Sequence, residues 1–241
     1  MCADAAGGRI SSLTVVLPAH NEEDILRTTV QVLLDGLRDG PRAFDVLIVE
    51  NGSSDRTWAI AQDLEAEHPE VRAITSAVPD YGRALRTGLL AATGDAVVNF
   101  DVDYYDLDFA AQALARLEAG ADIVVGTKRG AGAEDTRALP RRIVTGVFAG
   151  ILRVGYGLRA SDTHGMKALA RARVSPLAER CVLGTDLFDT ELVLRAERGG
   201  LVVSEIPVRV EEIRPARTPI LRRVPRTLVG LTRLRSALRD T

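Results

Sequence analysis

Short apolar runs punctuate the first half of the chain, and nearly every one is followed by a stretch with helical spacing. Residues 13–17 are apolar or β-branched and close on Pro18, which predicts a buried strand. Residues 22–37 place Ile25, Val30, Leu33, Leu34 and Leu37 on one helical face. A second strand is expected at 45–49, and Ser54 and Asp55 stand where they can cap the helix that follows to residue 67. A weaker strand at 71–75, a helix over 82–92 that ends at Gly94, a strand over 96–100, a helix over 107–118 and a strand over 122–126 continue the alternation. Strands alternating with helices predict an α/β fold, with parallel pairing and helices on both faces of the sheet. The second half is less regular. Residues 137–155 and 186–198 read as helices, the latter stopped by Gly199 and Gly200. Residues 163–170 and 201–210, the second broken at Pro207, read as strands.

There is no internal repeat and no low-complexity linker, so the expected organisation is one domain over 13–212, a flexible tail over 1–12 and a basic segment over 213–241. A formal net charge of -2 gives no electrostatic footprint for nucleic acid. Cys2 and Cys181 fit neither a disulfide framework nor a metal spacing, which points to a reducing cytoplasm. The first nine residues lack the apolar core of a signal peptide. The longest apolar stretch, 143–152, falls short of the roughly 20 residues that a spanning helix needs. A soluble or peripheral protein is the expectation.

In parallel α/β sheets, ligands bind beyond the carboxyl ends of the strands. Three polar clusters are placed there: His20-Asn21-Glu22, Glu50-Asn51-Gly52-Ser53 and Asp101-Val102-Asp103. The last is the central feature. Two carboxylates one residue apart project the same way from an extended segment and repel unless a cation lies between them. A hard divalent ion held by one or two carboxylates and by phosphate oxygens meets that need, and it would neutralise a departing diphosphate. Asn51 both donates and accepts, as a base edge requires, and its loop, Ser53 included, is a candidate ligand contact. His164 reads as a polar turn residue ahead of a third metal ligand.

Taken together, these motifs resemble the inverting GT-A glycosyltransferases of family 2. The likeness runs through 17–23, 49–57, 84–89, Gly94-Asp95 and 100–103. The stretches 162–167, 188–192 and 205–208 resemble the polyprenyl-phosphate branch, which holds the dolichyl-phosphate mannose and glucose synthases. The resemblance covers about residues 13–210. It implies a GT-A, Rossmann-like fold, mostly parallel, with a smaller antiparallel part in the C-terminal half. By position, Pro18, Ala19, His20 and Glu22 would line the base and ribose, and Asn51 matches the residue that reads the base. Asp101 and Asp103 would hold Mg²⁺ or Mn²⁺ on the diphosphate, with Val102 between them and Gly82 in the substrate-binding set. Lys128 and Arg141 or Arg142 match basic contacts near the phosphates. Asp162, Gly165, Lys167, Asp189 and Glu191 lie in the acceptor half. The chain departs from the family in carrying Glu50-Asn51 in place of two aspartates, and Tyr105 where Gln is usual, with Asp106 beside it as a substitute ligand.

The expected donor is a UDP- or GDP-sugar, and the expected reaction is transfer of mannose or glucose to polyprenyl phosphate. A phosphate acceptor is already an anionic nucleophile. A hydroxyl acceptor needs a base, for which Asp189 and Glu191 are the candidates, although residues two apart on a regular helix do not share a face. The alternatives are the same donor chemistry on a soluble small molecule, and a non-catalytic nucleotide-binding subunit. Within the C-terminal segment, Val224, Leu228, Leu231, Leu234 and Leu238 form a helical stripe, and arginines fall largely off it. Such a helix either lies on an anionic membrane surface or packs on the domain with a solvated basic face.

Overall fold

The computed structural model describes residues 8–127, 134–135, 139–184, 187–210 and 220–239, of which 134–135, 139–145, 209–210 and 220–228 are described by backbone alone. In chain order the elements are β1 (Ser12–Ala19), α1 (Leu26–Arg38), β2 (Ala43–Asn51), α2 (Thr57–Glu67), β3 (Val71–Ser76), α3 (Tyr81–Ala91), β4 (Ala96–Asn99), α4 (Leu107–Glu118) and β5 (Ile123–Thr127). There follow β6 (Glu134–Asp135), α5 (Leu139–Tyr156), β7 (Lys167–Ala170), α6 (Arg171–Arg180), α7 (Phe188–Arg198), β8 (Val203–Pro207), β9 (Arg209–Val210) and α8 (Ile220–Ala237).

Seven strands form one sheet in the order β3-β2-β1-β4-β7-β5-β8. Every neighbouring pair is parallel except those of β7, which runs antiparallel to both β4 and β5. The short strands β6 and β9 pair separately. The sheet divides the core in two by strand alternation. Leu13, Val15 and Leu17 of β1, with Val46 and Ile48 of β2, face a cluster shared with α1, α2 and α4. Val16, Leu47, Val49, Val97, Ile123 and Val125 face the other cluster, shared with α3, α6, α7 and α8. The central strands are buried on both faces because helices cover both, which is why they read as unbroken apolar runs.

Several boundaries differ from expectation for local reasons. Helix α1 starts at Leu26 rather than Glu22, preceded by a turn in which the Glu22 carbonyl accepts the N–H groups of Ile25 and Leu26. The Asp55 carboxylate accepts the Thr57 N–H at the start of α2, while Ser54 bonds to Asn21 instead of capping. Helix α6 was not expected. It carries Pro176 within it and buries only Val174 and Ala178, so its apolar spacing is weak.

Helix α8 occupies the basic segment. Its Leu231 and Leu234, and Leu238 just past its end, are buried in the second cluster. The Tyr156 hydroxyl donates to the Leu231 carbonyl, and the Arg195 guanidinium donates to that of Ala237. Over these residues the apolar stripe is spent on the domain and does not face a membrane, and Arg233, Arg235 and Arg239 are exposed. Val224 and Leu228 have side chains outside the described residues. Among the described residues no helix is long and apolar enough to cross a membrane.

Candidate active site

The parallel strands β1, β2 and β4 bring their carboxyl ends to one edge of the sheet. Because β7 runs the other way, its first residue lies at that same edge, with Lys167 paired to Asn99 at the end of β4. One topological reversal therefore adds residues 162–167 to the polar clusters that follow β1, β2 and β4.

Pro18 and Ala19 are buried at the end of β1, in register with Val49 and Glu50. The loops after β1 and β2 are laced together. The Asn51 carbonyl lies 2.8 Å from His20 Nδ1. The Asn21 N–H donates to Ser53 Oγ, and the Ser54 N–H donates back to Asn21 Oδ1 at 2.8 Å. The Glu22 N–H donates to Thr57 Oγ1, and Glu23 and Asp55 exchange bonds with the backbone across the gap. Asn21 takes the left-handed conformation (φ 55°), which asparagine tolerates better than most residues. Glu50 is buried, with its carboxylate held by the Ser53 N–H and the Thr75 hydroxyl. Asn51 is also buried, and its Oδ1 accepts the Asp80 N–H at 2.8 Å. In this arrangement the Glu50-Asn51 pair shapes the loop and carries α3.

Asp101 and Asp103 sit on a tight turn, not on the extended segment expected. Asp101 and Tyr104 exchange both backbone hydrogen bonds at 3.1 Å. The Val102 carbonyl accepts the Thr29 hydroxyl, anchoring the turn to α1. Asp101 is half-buried, and its Oδ1 accepts a 2.6 Å bond from the Tyr81 hydroxyl. Burial pushes the Asp101 carboxyl up, against the Tyr81 bond; the negative charges of Asp103 and Asp189 push it further, and Lys167 opposes. The Tyr81 phenol is itself pushed well up, by burial first and then by Asp101. Asp103 is exposed at the mouth. Tyr105 packs against the first core cluster, and Asp106 Oδ1 accepts the Phe109 N–H as the cap of α4. Gly82 is buried in the first turn of α3.

Among the described residues no group of three or more His, Cys, Asp or Glu side chains is placed to hold a metal. Asp101 and Asp103 nevertheless fit a divalent ion that takes its remaining ligands from a diphosphate and water. Negative charge crowds on Asp101, and among the described residues no donor reaches its Oδ2.

The segments around β7 and α7 are built around buried ions. Lys167 Nζ lies 3.0 Å from Asp189 Oδ1, both side chains nearly inaccessible, and donates to the Gly165 carbonyl. Asp189 Oδ1 has this ion pair but no well-aligned hydrogen bond. Asp162 Oδ1 accepts the N–H groups of Thr163 and His164, and Gly165 (φ 101°) makes the turn into β7. His164 stands edge-on to Phe148 of α5, with ring centroids 6.0 Å apart, which suits the turn residue expected. Glu191 points elsewhere. It is fully buried, Oε2 accepts the N–H groups of Val182 and Leu183, and Oε1 pairs with Arg195. Both oxygens are spent on structural partners, so Glu191 is not a free base. Lys128 and the side chain of Arg141 lie outside the described residues. Tyr81, which bonds to Asp101, was not singled out from the sequence, since one tyrosine at the start of a helix carries no periodic signal.

Residues 14–174 match the family Glycosyl transferase family 2. The chain is 34% identical over 215 residues to the glycosyltransferase AglD of Haloferax volcanii, covering 86% of this chain but only 34% of AglD, so it spans about a third of that relative. It is 26% identical over 215 residues to the dolichyl-phosphate beta-glucosyltransferase ALG5C of Trichomonas vaginalis, covering 83% of this chain and 64% of that one. Its fold resembles that of glucosyl-3-phosphoglycerate synthase from Mycobacterium tuberculosis, solved in complex with Mn²⁺, uridine-diphosphate-glucose and phosphoglyceric acid (TM-score 0.66, 23% identity, 92% of this chain and 76% of that one). The mostly parallel sheet is that of the GT-A fold, the paired carboxylates close its fourth strand, and the match extends from the first strand through β7: the chain belongs to glycosyl transferase family 2.

Proposed function

We propose that the chain is an inverting, metal-dependent hexosyltransferase that moves mannose or glucose from a UDP- or GDP-sugar to polyprenyl phosphate. One observation carries the choice of acceptor. Among the described residues, the acidic side chains expected in the acceptor half are committed to partners in the fold: Asp189 to Lys167, Glu191 to Arg195, Asp162 to its own turn, and Glu205 to Ser161. A hydroxyl acceptor would need one of them free to take its proton. A phosphate arrives ionised and needs no base. The likeness to a dolichyl-phosphate glucosyltransferase supports the same acceptor class. On α5, Val147, Ile151 and Val154 are exposed at helical spacing, an apolar stripe that a lipid chain would cover.

In this mechanism the loops after β1 and β2 hold base and ribose, with Pro18, Ala19, His20, Glu22, Asn51 and Ser53 as the lining. Asp101 and Asp103 would hold Mg²⁺ or Mn²⁺, which supplies charge neutralisation at the departing diphosphate. Lys128 and Arg141 add positive charge at the phosphates. Lys167, paired with Asp189 and donating to the Gly165 carbonyl, would lie among the residues that contact the acceptor. In-line attack by the acceptor phosphate on the anomeric carbon then inverts configuration.

The test is donor turnover with Mn²⁺ or Mg²⁺, a panel of UDP- and GDP-sugars, and either short-chain polyprenyl phosphate or phosphoglyceric acid. The expected result is nucleoside diphosphate release stimulated by the lipid phosphate and lost in Asp101→Ala. Stimulation by phosphoglyceric acid alone would transfer the assignment to a soluble acceptor. Donor binding without turnover under any condition would make the chain a nucleotide-binding subunit.

A further inference from the structure

Asp101 is fixed in its backbone by the paired bonds to Tyr104, which leaves only its side-chain torsions free. Those torsions decide which oxygen faces the diphosphate. The group that reaches them comes from a different element. Tyr81 is the first residue of α3, its ring packs against the second core cluster, and its hydroxyl donates 2.6 Å to Asp101 Oδ1. The preceding residue is held at both ends: the Asp80 N–H donates to Asn51 Oδ1 at 2.8 Å, and the Asp80 carboxylate caps α3 through the Arg83 N–H. The ring therefore stands on a fixed base, and its packing against the core cluster restricts the side-chain rotations that would carry the hydroxyl away.

We infer that Tyr81 is the positioning residue for Asp101: its hydroxyl holds Oδ1 so that Oδ2 is presented to the divalent ion. Through Asp80 and Asn51, the same helix end joins the turn that carries the carboxylates to the loop that lines the nucleotide. The inference goes beyond the proposed function and rests on its assignment of Asp101 as a metal ligand. Partners that orient a metal ligand typically contribute about 10- to 100-fold in metal affinity.

The experiment is Mn²⁺ binding by titration calorimetry or electron paramagnetic resonance, in the presence of UDP, for the wild type, Tyr81→Phe and Asp101→Ala. Tyr81→Phe keeps the ring and its packing and removes only the donor. The expected result is Mn²⁺ affinity about 10- to 100-fold weaker in Tyr81→Phe with an unchanged melting curve. In turnover, the Mn²⁺ concentration for half-activation rises by the same factor, and more than kcat at saturating metal falls. Wild-type affinity in Tyr81→Phe, with affinity lost in Asp101→Ala, overturns the role of Tyr81 alone. Wild-type affinity in both variants removes Asp101 as a ligand as well. Should Tyr81→Phe lose its fold, the wild type still decides the matter. With ring-carbon-labelled tyrosine, the Tyr81 resonance shifts when Mg²⁺ is added to the UDP complex, and an unmoved resonance contradicts the contact.

Discussion

Asp189 and Glu191 are both buried on α7, two residues apart, and their partners give them different work. Asp189 pairs with Lys167 beside Asp101, whereas Glu191 pairs with Arg195 one helical turn on and ties down the backbone of 182–183. Removing one member of a buried ion pair strands the other charge, at a cost of about 3–5 kcal/mol. Glu191→Gln is accordingly expected to lower unfolding free energy by about that amount in a urea titration, and to leave kcat of the folded enzyme unchanged. A large fall in kcat at wild-type stability would restore Glu191 to the chemistry. Spacing in the sequence showed that the two could not share a site, but both carboxylates are of one type and one helix, and only their partners distinguish them.

Among the elements, α3 carries Tyr81, the hydrogen-bond partner of Asp101, at its first residue. It lies close on the sheet through Gly88, where an added Cβ would fall 2.4 Å from Val16 Cγ1 and 3.0 Å from Val49 Cγ2. Both valines are β-branched and stand on central strands, so neither can swing aside cheaply. Gly88→Ala should cost about 1–3 kcal/mol by overpacking, seen as a lower melting temperature. An unchanged melting temperature would mean that α3 slides without penalty. The helix was legible from its spacing to within a residue at each end. Its closeness to the sheet was not, since a glycine in a helical run marks a weak helix as readily as a tight contact.

For the molecule as a whole, stability is expected to fail in acid through carboxylates held in the folded state. Asp95 is held below the usual aspartate range, first by the Ser11 hydroxyl, and Glu70 below the usual glutamate range, first by Arg38. A carboxylate whose folded value is depressed contributes stability that is present above its unfolded value and is lost as pH falls through the folded one. Melting temperature should therefore drop as pH falls below about 4, the ordinary carboxylate range. Asp95→Asn, which cannot ionise, should lie below the wild type at pH 7 and converge with it in acid. Parallel curves at every pH would show that the contacts of Asp95 with Ser11 and Ser12 contribute nothing through its charge.

What the sequence determined by itself is the set of features encoded locally. Unbroken apolar runs marked β1, β2, β4 and β5, helical spacing marked α1 to α4 with the bounds of α4 matched residue for residue, and polar residues marked the ends of β1, β2 and β4. The motifs along 13–210 placed the chain in its family, and the match over 14–174 agrees. Periodicity states which face of an element is buried, not what lies against it. Only the tertiary structure decided that β7 runs antiparallel in the middle of a parallel sheet, which brings Lys167 beside Asn99 and so beside Asp101 and Asp189. It alone turned the stripe of Leu231, Leu234 and Leu238 into the core and brought the hydroxyl of Tyr81 onto Asp101. Each of these depends on residues distant in the chain meeting in space. An ion pair, a strand direction or a donated hydrogen bond belongs to both partners, and no single stretch of sequence contains both.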